Sequence, residues 1–195
     1  MNVQEKITID VVLLFPENIN NICKELNKTS DMNNYVSFED GYHPHLTLGM
    51  GSLFVSDIEE FKKDIELVLE RCTISEITLT SLTLSKYNQF TLEVDEHLQN
   101  LHNAVFDAIV KHSAGEVTAE HFFEMNKSTS LINWVNNFKE NNAYANYHPH
   151  VTIGRDITEI PLAFPITFKP ESVGLFHLGK HGVCKKLITT FDISM

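Results

Sequence analysis

One eight-residue phrase occurs twice in this chain. Residues 42–49 read Tyr-His-Pro-His-Leu-Thr-Leu-Gly, and residues 147–154 read Tyr-His-Pro-His-Val-Thr-Ile-Gly. The copies lie 105 residues apart and differ only by Leu46 against Val151 and Leu48 against Ile153. In an extended strand, side chains at i, i+2 and i+4 share a face. His43, His45, Thr47 and Gly49 then point one way, and Pro44, Leu46 and Leu48 the other. The second copy sets His148, His150, Thr152 and Gly154 against Pro149, Val151 and Ile153. Each copy thus predicts an apolar side for a core and a side bearing imidazole and hydroxyl. Proline belongs at a strand's first residue or on an edge, so the ordered strands should begin at His45 and His150.

The flanking patterns repeat as well. Residues 7–15, ITIDVVLLF, read as a largely buried strand. Pro16 opens a helix with Ile19, Ile22, Cys23 and Leu26 at helical spacing. Residues 28–40 are polar and loop-like before the first phrase. Ser56 with Glu59 has the form of a capping box ahead of Ile58, Phe61, Ile65, Val68 and Leu69. Residues 74–85 alternate as a strand whose phase changes near Ser81, which predicts a bulge. A strand over 89–95 and a helix over 96–112, with Leu98, Leu101, Val105, Ala108 and Ile109 inward, precede an irregular segment. A short helix follows, with Leu131, Trp134, Val135 and Phe138 on one side, Trp134 being read as core. After the second phrase come strands near 164–168, 172–178 and 183–192, with a turn at Lys180-His181-Gly182. Each half therefore runs strand, helix, phrase, further strands. The expectation is an α+β fold over residues 1–195, a single bilobed domain built by pseudo-twofold duplication. Two antiparallel sheets should face a central cleft, with helices on their outer faces.

Charge narrows the partners. The chain carries 15 Lys+Arg against 26 Asp+Glu, a formal net charge of −11. Residues 1–140 hold 10 against 22, and residues 141–195 hold 5 against 4. Long nucleic acid binds through phosphate neutralisation, so an acidic chain points to a short phosphate ligand held by the C-terminal part. No window has the roughly 18 apolar residues of a membrane span. The odd cysteine count, Cys23, Cys72 and Cys184, shows neither metal nor disulfide spacing. These read as reduced thiols filling the core of a cytoplasmic protein, expected to be a monomer.

A pair of histidines brought together by the duplication suits acid–base chemistry near neutrality. One neutral ring can take a proton from a nucleophile while a protonated ring gives one to a leaving group. His45-Leu46-Thr47-Leu48 and His150-Val151-Thr152-Ile153 resemble the paired H-x-T-x motifs of the two-histidine (2H) phosphoesterase superfamily. That group includes the 2'-5' RNA ligase-like and 2',3'-cyclic nucleotide phosphodiesterase enzymes. The resemblance covers nearly the whole chain. It implies metal-independent phosphodiester chemistry with no cofactor, His45 and His150 as acid and base, and Thr47 and Thr152 holding the phosphate. Arg155 matches an arginine often found just after the second motif, where the resemblance implies that it also reaches the phosphate; the first copy has Met50 there. His43 and His148 are candidates for gating the pocket or orienting the rings, and Tyr42 and Tyr147 for stacking on a base.

Two other readings stand beside this one. A noncatalytic nucleotide or RNA-end binder could keep the cleft without turnover. A metal-dependent hydrolase could use the four imidazoles as ligands, although no carboxylate lies beside either pair in sequence.

Overall fold

The computed structural model describes residues 4–28, 37–38, 41–84, 87–125, 128–155 and 162–193. The N-terminal apolar run is β1 (Lys6–Leu14), and α1 (Glu17–Lys28) starts directly after Pro16. The phrases begin β2 (His45–Phe54) and β5 (His150–Gly154), each at the residue that proline placement predicts. Between them lie α2 (Ile58–Arg71), β3 (Ile77–Thr83), β4 (Asn88–Leu92), α3 (Glu96–Lys111), α4 (Thr129–Asn136) and α5 (Phe138–Asn142). The chain closes with β6 (Ile166–Phe168), β7 (Ser172–His177) and β8 (Lys186–Asp192). The loop expected over 28–40 falls mostly outside the described residues. No helix among the described residues is long and apolar enough to cross a membrane.

The strands form two four-stranded antiparallel sheets, ordered β2-β1-β7-β8 and β5-β4-β3-β6. The fold class is therefore the predicted one, but sequence halves are not lobes. The first sheet takes β1 and β2 from the start of the chain and β7 and β8 from its end; β3 to β6 make the second. After β2 the chain crosses to the second sheet, whereas β6 stays in the sheet of β5 and β7 and β8 return to the first. Both phrase strands end up as sheet edges, and β2 contacts β5 at the seam.

Burial follows the alternation. Ile9, Val11 and Leu13 of β1, Leu46 and Leu48 of β2, and Val151 and Ile153 of β5 are all fully buried in one continuous core. Helix α3 adds Leu98, Leu101, Val105 and Ile109 to it, and Asp95 caps the helix by accepting from the Leu98 amide at 2.7 Å. The predicted bulge in β3 lies between Leu79 and Ser81. Two local expectations fail. Ser56 and Glu59 make no capping box: residues Val55–Asp57 form a short 3-10 turn, and Ser56 Oγ donates to Asp57 Oδ1 at 2.7 Å. Trp134 is not core, being 43% exposed, because α4 is a short helix that buries only Val135 fully.

Candidate active site

The phrase strands carry a feature that alternation alone hides. Thr47 pairs with Val12 and Gly49 with Val11, so Leu48 has no partner across the ladder. In the second sheet Thr152 pairs with Gln89 and Gly154 with Asn88, leaving out Ile153. Each copy thus bulges at the same residue of the phrase. Gly154 has φ +151°, a conformation that favours glycine.

A bulge reverses the side-chain phase downstream. Gly49 therefore does not share the histidine face: a Cβ there would lie 2.9 Å from Ile109 Cδ1 of α3, on the core side. Met50 and Arg155, which simple alternation would send into the core, line the cleft with His45, Thr47, His150 and Thr152. The Thr-x-Gly end of the phrase carries a kink that turns Arg155 into the cleft.

Each bulge leaves a carbonyl outside the ladder, and each is satisfied by a buried side chain. His102 Nδ1 of α3 donates to Leu48 O at 2.7 Å, and Asn27 Nδ2 of α1 donates to Ile153 O at 2.6 Å. The helices are exchanged relative to their sheets: α3, which connects β4 to β5, braces β2, and α1, which connects β1 to β2, braces β5. His102 is fully buried, accepts from the Tyr144 amide at 2.9 Å, and stacks on Tyr147 at 3.7 Å. Neither residue was singled out from the sequence.

The two motif histidines are held alike. His45 Nδ1 donates to His43 O at 2.8 Å, and His150 Nδ1 to His148 O at 3.3 Å. A carbonyl only accepts, so each Nδ1 carries the proton, and each Nε2 is left for chemistry. Both rings line one cleft of about 520 Å³. Burial pushes His45 down to about 4; the His43 carbonyl opposes this, and the charges of His150 and His43 add to it. Burial lowers His150 as well, against the pull of the His148 carbonyl. Both imidazoles are therefore neutral in the resting protein at pH 7.

The remaining candidates divide. Thr47, Thr152, Arg155, Tyr147 and His148 line the cleft; His43 and Tyr42 do not. The His43 ring leans on Phe176 at 5.4 Å, and only its carbonyl serves the site. The four imidazoles thus do not converge on one point. Tyr147 is 6% exposed, with one face on His102 and its hydroxyl donating to Thr47 O at 2.8 Å. Tyr42 lies under Lys185, with Nζ 5.0 Å from the ring centroid. The Arg155 guanidinium sits over Tyr87 at 4.8 Å and donates to its hydroxyl at 3.0 Å. Trp134, Phe138, Gln89 and His181 also line it, so the turn at Lys180-His181-Gly182 reaches the cleft.

Asp10 was also missed. It comes from β1, is fully buried, and accepts from Thr47 Oγ1 at 3.2 Å and from Cys184 Sγ at 3.6 Å through Oδ2. The same oxygen lies 3.9 Å from His45 Nε2. Burial raises its carboxyl well above the ordinary value, opposed by the bonds from Thr47 and Cys184. The sequence reading that no carboxylate accompanies the histidines is corrected here: pairing of β1 with β2 brings one from 35 residues upstream. Its signal was the one charge within residues 7–15, ITIDVVLLF.

No protein-family model matches the chain, and no curated protein matches it. Solved structures do. LigT of E. coli, in a crystal with 3'-AMP, superposes with a TM-score of 0.55 at 15% identity, covering 98% of this chain and 99% of that one. A structure described as a phosphoesterase gives 0.54 at 15% identity, with 98% and 100% coverage. TT0787 of Thermus thermophilus gives 0.55 at 14%, with 96% and 98% coverage. Over nearly its whole length the chain has the fold of LigT and this phosphoesterase, in agreement with the two-histidine phosphoesterase resemblance carried by its paired motifs.

Proposed function

We propose that this chain is a metal-independent phosphodiesterase acting on 2',3'-cyclic phosphates or 2'-5' linkages of nucleotides or short RNA, with His45 and His150 as acid and base. The carrying observation is the matched pair of Nδ1–carbonyl bonds, which leaves two Nε2 atoms for one cleft. The size of that cleft suits a nucleotide rather than a duplex. LigT, which shares the fold, has been crystallised with 3'-AMP, with ATP and with NADP+.

The reaction begins from two neutral rings. A phosphodiester anion between them raises the pKa of the nearer imidazole, because an opposite charge favours the protonated form. That ring becomes the acid. The other takes a proton from water as the water oxygen attacks phosphorus, and the acid protonates the departing ribose oxygen. Negative charge grows on the non-bridging oxygens, where Thr152 and Arg155 donate. Thr47 gives its hydroxyl proton to a hydrogen bond with Asp10 in the resting state and must turn to reach phosphate. With a hydroxyl of a second RNA end in place of water, the same site would join ends: the base takes the hydroxyl proton, the new P–O bond forms, and the acid protonates the ribose oxygen released from the cyclic phosphate.

The test is a panel of 2',3'-cyclic nucleotides and 2'-5' oligonucleotides assayed with EDTA present. Turnover should persist in EDTA and fall about 10²–10⁴-fold in both His45→Ala and His150→Ala. Tight binding of a 2'-phosphonucleotide without turnover would instead mark a noncatalytic binder. Loss of activity on chelation would mark a metal hydrolase.

A further inference from the structure

Below the cleft, three different metal-binding side chains meet. Asp10, His45 and Cys184 bring a carboxylate oxygen, a ring nitrogen and a sulfur to within 4.8 Å of one another. They come from β1, β2 and the segment just before β8, so only the assembled first sheet creates the group. Asp10 and Cys184 have no solvent exposure, and His45 closes the group on the cleft side.

We propose that Asp10, His45 and Cys184 form a zinc site whose occupation takes His45 Nε2 out of the phosphodiester chemistry. The inhibitory part rests on the function proposed above; the binding part does not.

Three observations support the site. The first is shape. Tetrahedral zinc with ordinary ligand distances sets oxygen and sulfur about 3.6 Å apart, and oxygen and nitrogen about 3.4 Å apart. Asp10 Oδ2 is 3.6 Å from Cys184 Sγ and 3.9 Å from His45 Nε2, and the three ligand atoms lie within 4.8 Å of one another, so the ring must move inward toward both partners to reach zinc distances. The second is orientation. A zinc-bound histidine usually donates its other ring N–H to a carbonyl or carboxylate, which fixes the ligating tautomer. His45 Nδ1 already donates to His43 O at 2.8 Å. The third is an unmet need. Asp10 Oδ1 is buried with no hydrogen-bond partner among the described residues, a costly state that a cation beside the carboxylate relieves.

The donor set also fits the ion. A thiolate with an imidazole selects zinc over magnesium or calcium, which prefer all-oxygen shells. On ligation the thiol proton and any carboxyl proton leave to solvent. Three protein ligands leave the fourth position of a tetrahedral ion to water. Among the described residues the second sheet offers no such site. At the register position equivalent to Asp10, one residue before Asn88, stands Tyr87, and the Arg155 guanidinium lies against it. A fixed cation there repels a metal. The site therefore singles out one of the two motif histidines.

Cobalt(II) titration of the reduced, metal-free full chain reads the site without any substrate. We expect one cobalt per chain, with a near-ultraviolet thiolate-to-cobalt band and the visible bands of a four-coordinate ion. The thiolate band should vanish in Cys184→Ala and weaken in Asp10→Asn. X-ray absorption of the zinc-loaded wild type gives an answer that needs no variant: one sulfur at about 2.3 Å, with the remaining shell nitrogen or oxygen at about 2.0–2.2 Å. Absence of the band, its survival in Cys184→Ala, or a zinc shell lacking sulfur would overturn the proposal and leave the cluster as buried hydrogen bonding. In parallel, zinc should inhibit cyclic-nucleotide hydrolysis, with EDTA restoring it. The half-inhibitory concentration should rise at least about tenfold in Cys184→Ala, measured against that variant's own metal-free rate. Sulfur-coordinated metal in a protein that turns over no substrate would sink the phosphodiesterase reading and keep the site. Hydrolysis with no sulfur coordination would do the reverse.

Discussion

Replacing His102 by phenylalanine keeps an aromatic ring against Tyr147 and removes two hydrogen bonds at once. In the wild type the ring donates to Leu48 O at 2.7 Å and accepts from the Tyr144 amide at 2.9 Å, with no solvent exposure. Phenylalanine leaves both backbone groups buried without that partner. Each such orphan costs about 1–3 kcal/mol, so the variant should lose about 4 kcal/mol in guanidinium unfolding. For a chain of this size that corresponds to a drop in Tm of roughly 8–16 °C. The loss should also depend on pH. Burial holds the His102 imidazole below its ordinary value, against the pull of the Leu48 carbonyl and Asp107. A histidine depressed in the fold binds fewer protons folded than unfolded, so its contribution is complete above about pH 6.5 and shrinks on acidification. The physical event is the acceptor nitrogen gaining a proton that points at the Tyr144 N–H. The gap between wild type and His102→Phe should therefore narrow below pH 6.5, by at most about 1.4 kcal/mol per pH unit. A variant within about 1 kcal/mol of wild type at pH 7, or a gap that stays constant down to pH 4.5, would refute the role assigned to this ring.

Three other outcomes are expected. His45 lies beside Asp10 and Cys184 and feels the charges of His150 and His43, and burial lowers both motif histidines; the kcat/KM profile of the free enzyme should thus peak on the acid side of pH 6.5. Bound phosphate should shift the kcat profile to higher pH, and identical profiles centred above pH 7 would contradict this. In Gly51→Ala the new Cβ would meet Ile109 Cγ2 at 2.5 Å, a stiff β-branched contact; denaturation should show a loss of about 1–3 kcal/mol, and an unchanged midpoint would mean that α3 yields. Trp134→Ala should leave unfolding within about 0.5 kcal/mol, since the ring is 43% exposed. It should also raise KM for nucleotides through loss of a stacking surface worth about 1–3 kcal/mol; a KM equal to wild type would remove Trp134 from the binding wall.

Strand starts, the inward face of α3 and the β3 bulge were legible because each depends on neighbours in sequence. Proline excludes a strand interior, and helical spacing exposes an apolar stripe. Ser56 misled because a capping box needs helical backbone from the next residue on, and the turn at Val55–Asp57 defers it. Trp134 misled because a short helix can bury one face only when something covers it.

The doubled phrase fixed, without any coordinates, that two imidazoles would sit at the starts of two alike strands. It could not reveal the bulge at Leu48 and Ile153, since a residue skipped in a ladder is defined only by the partner strand. Nor could it reveal that Arg155 turns into the cleft, that α1 and α3 brace each other's sheets, or that Asp10 and Cys184 lie beside His45. Those placements depend on which strands pair and in which register. Pairing is chosen by burial of the whole core at once, so no local window of sequence contains it.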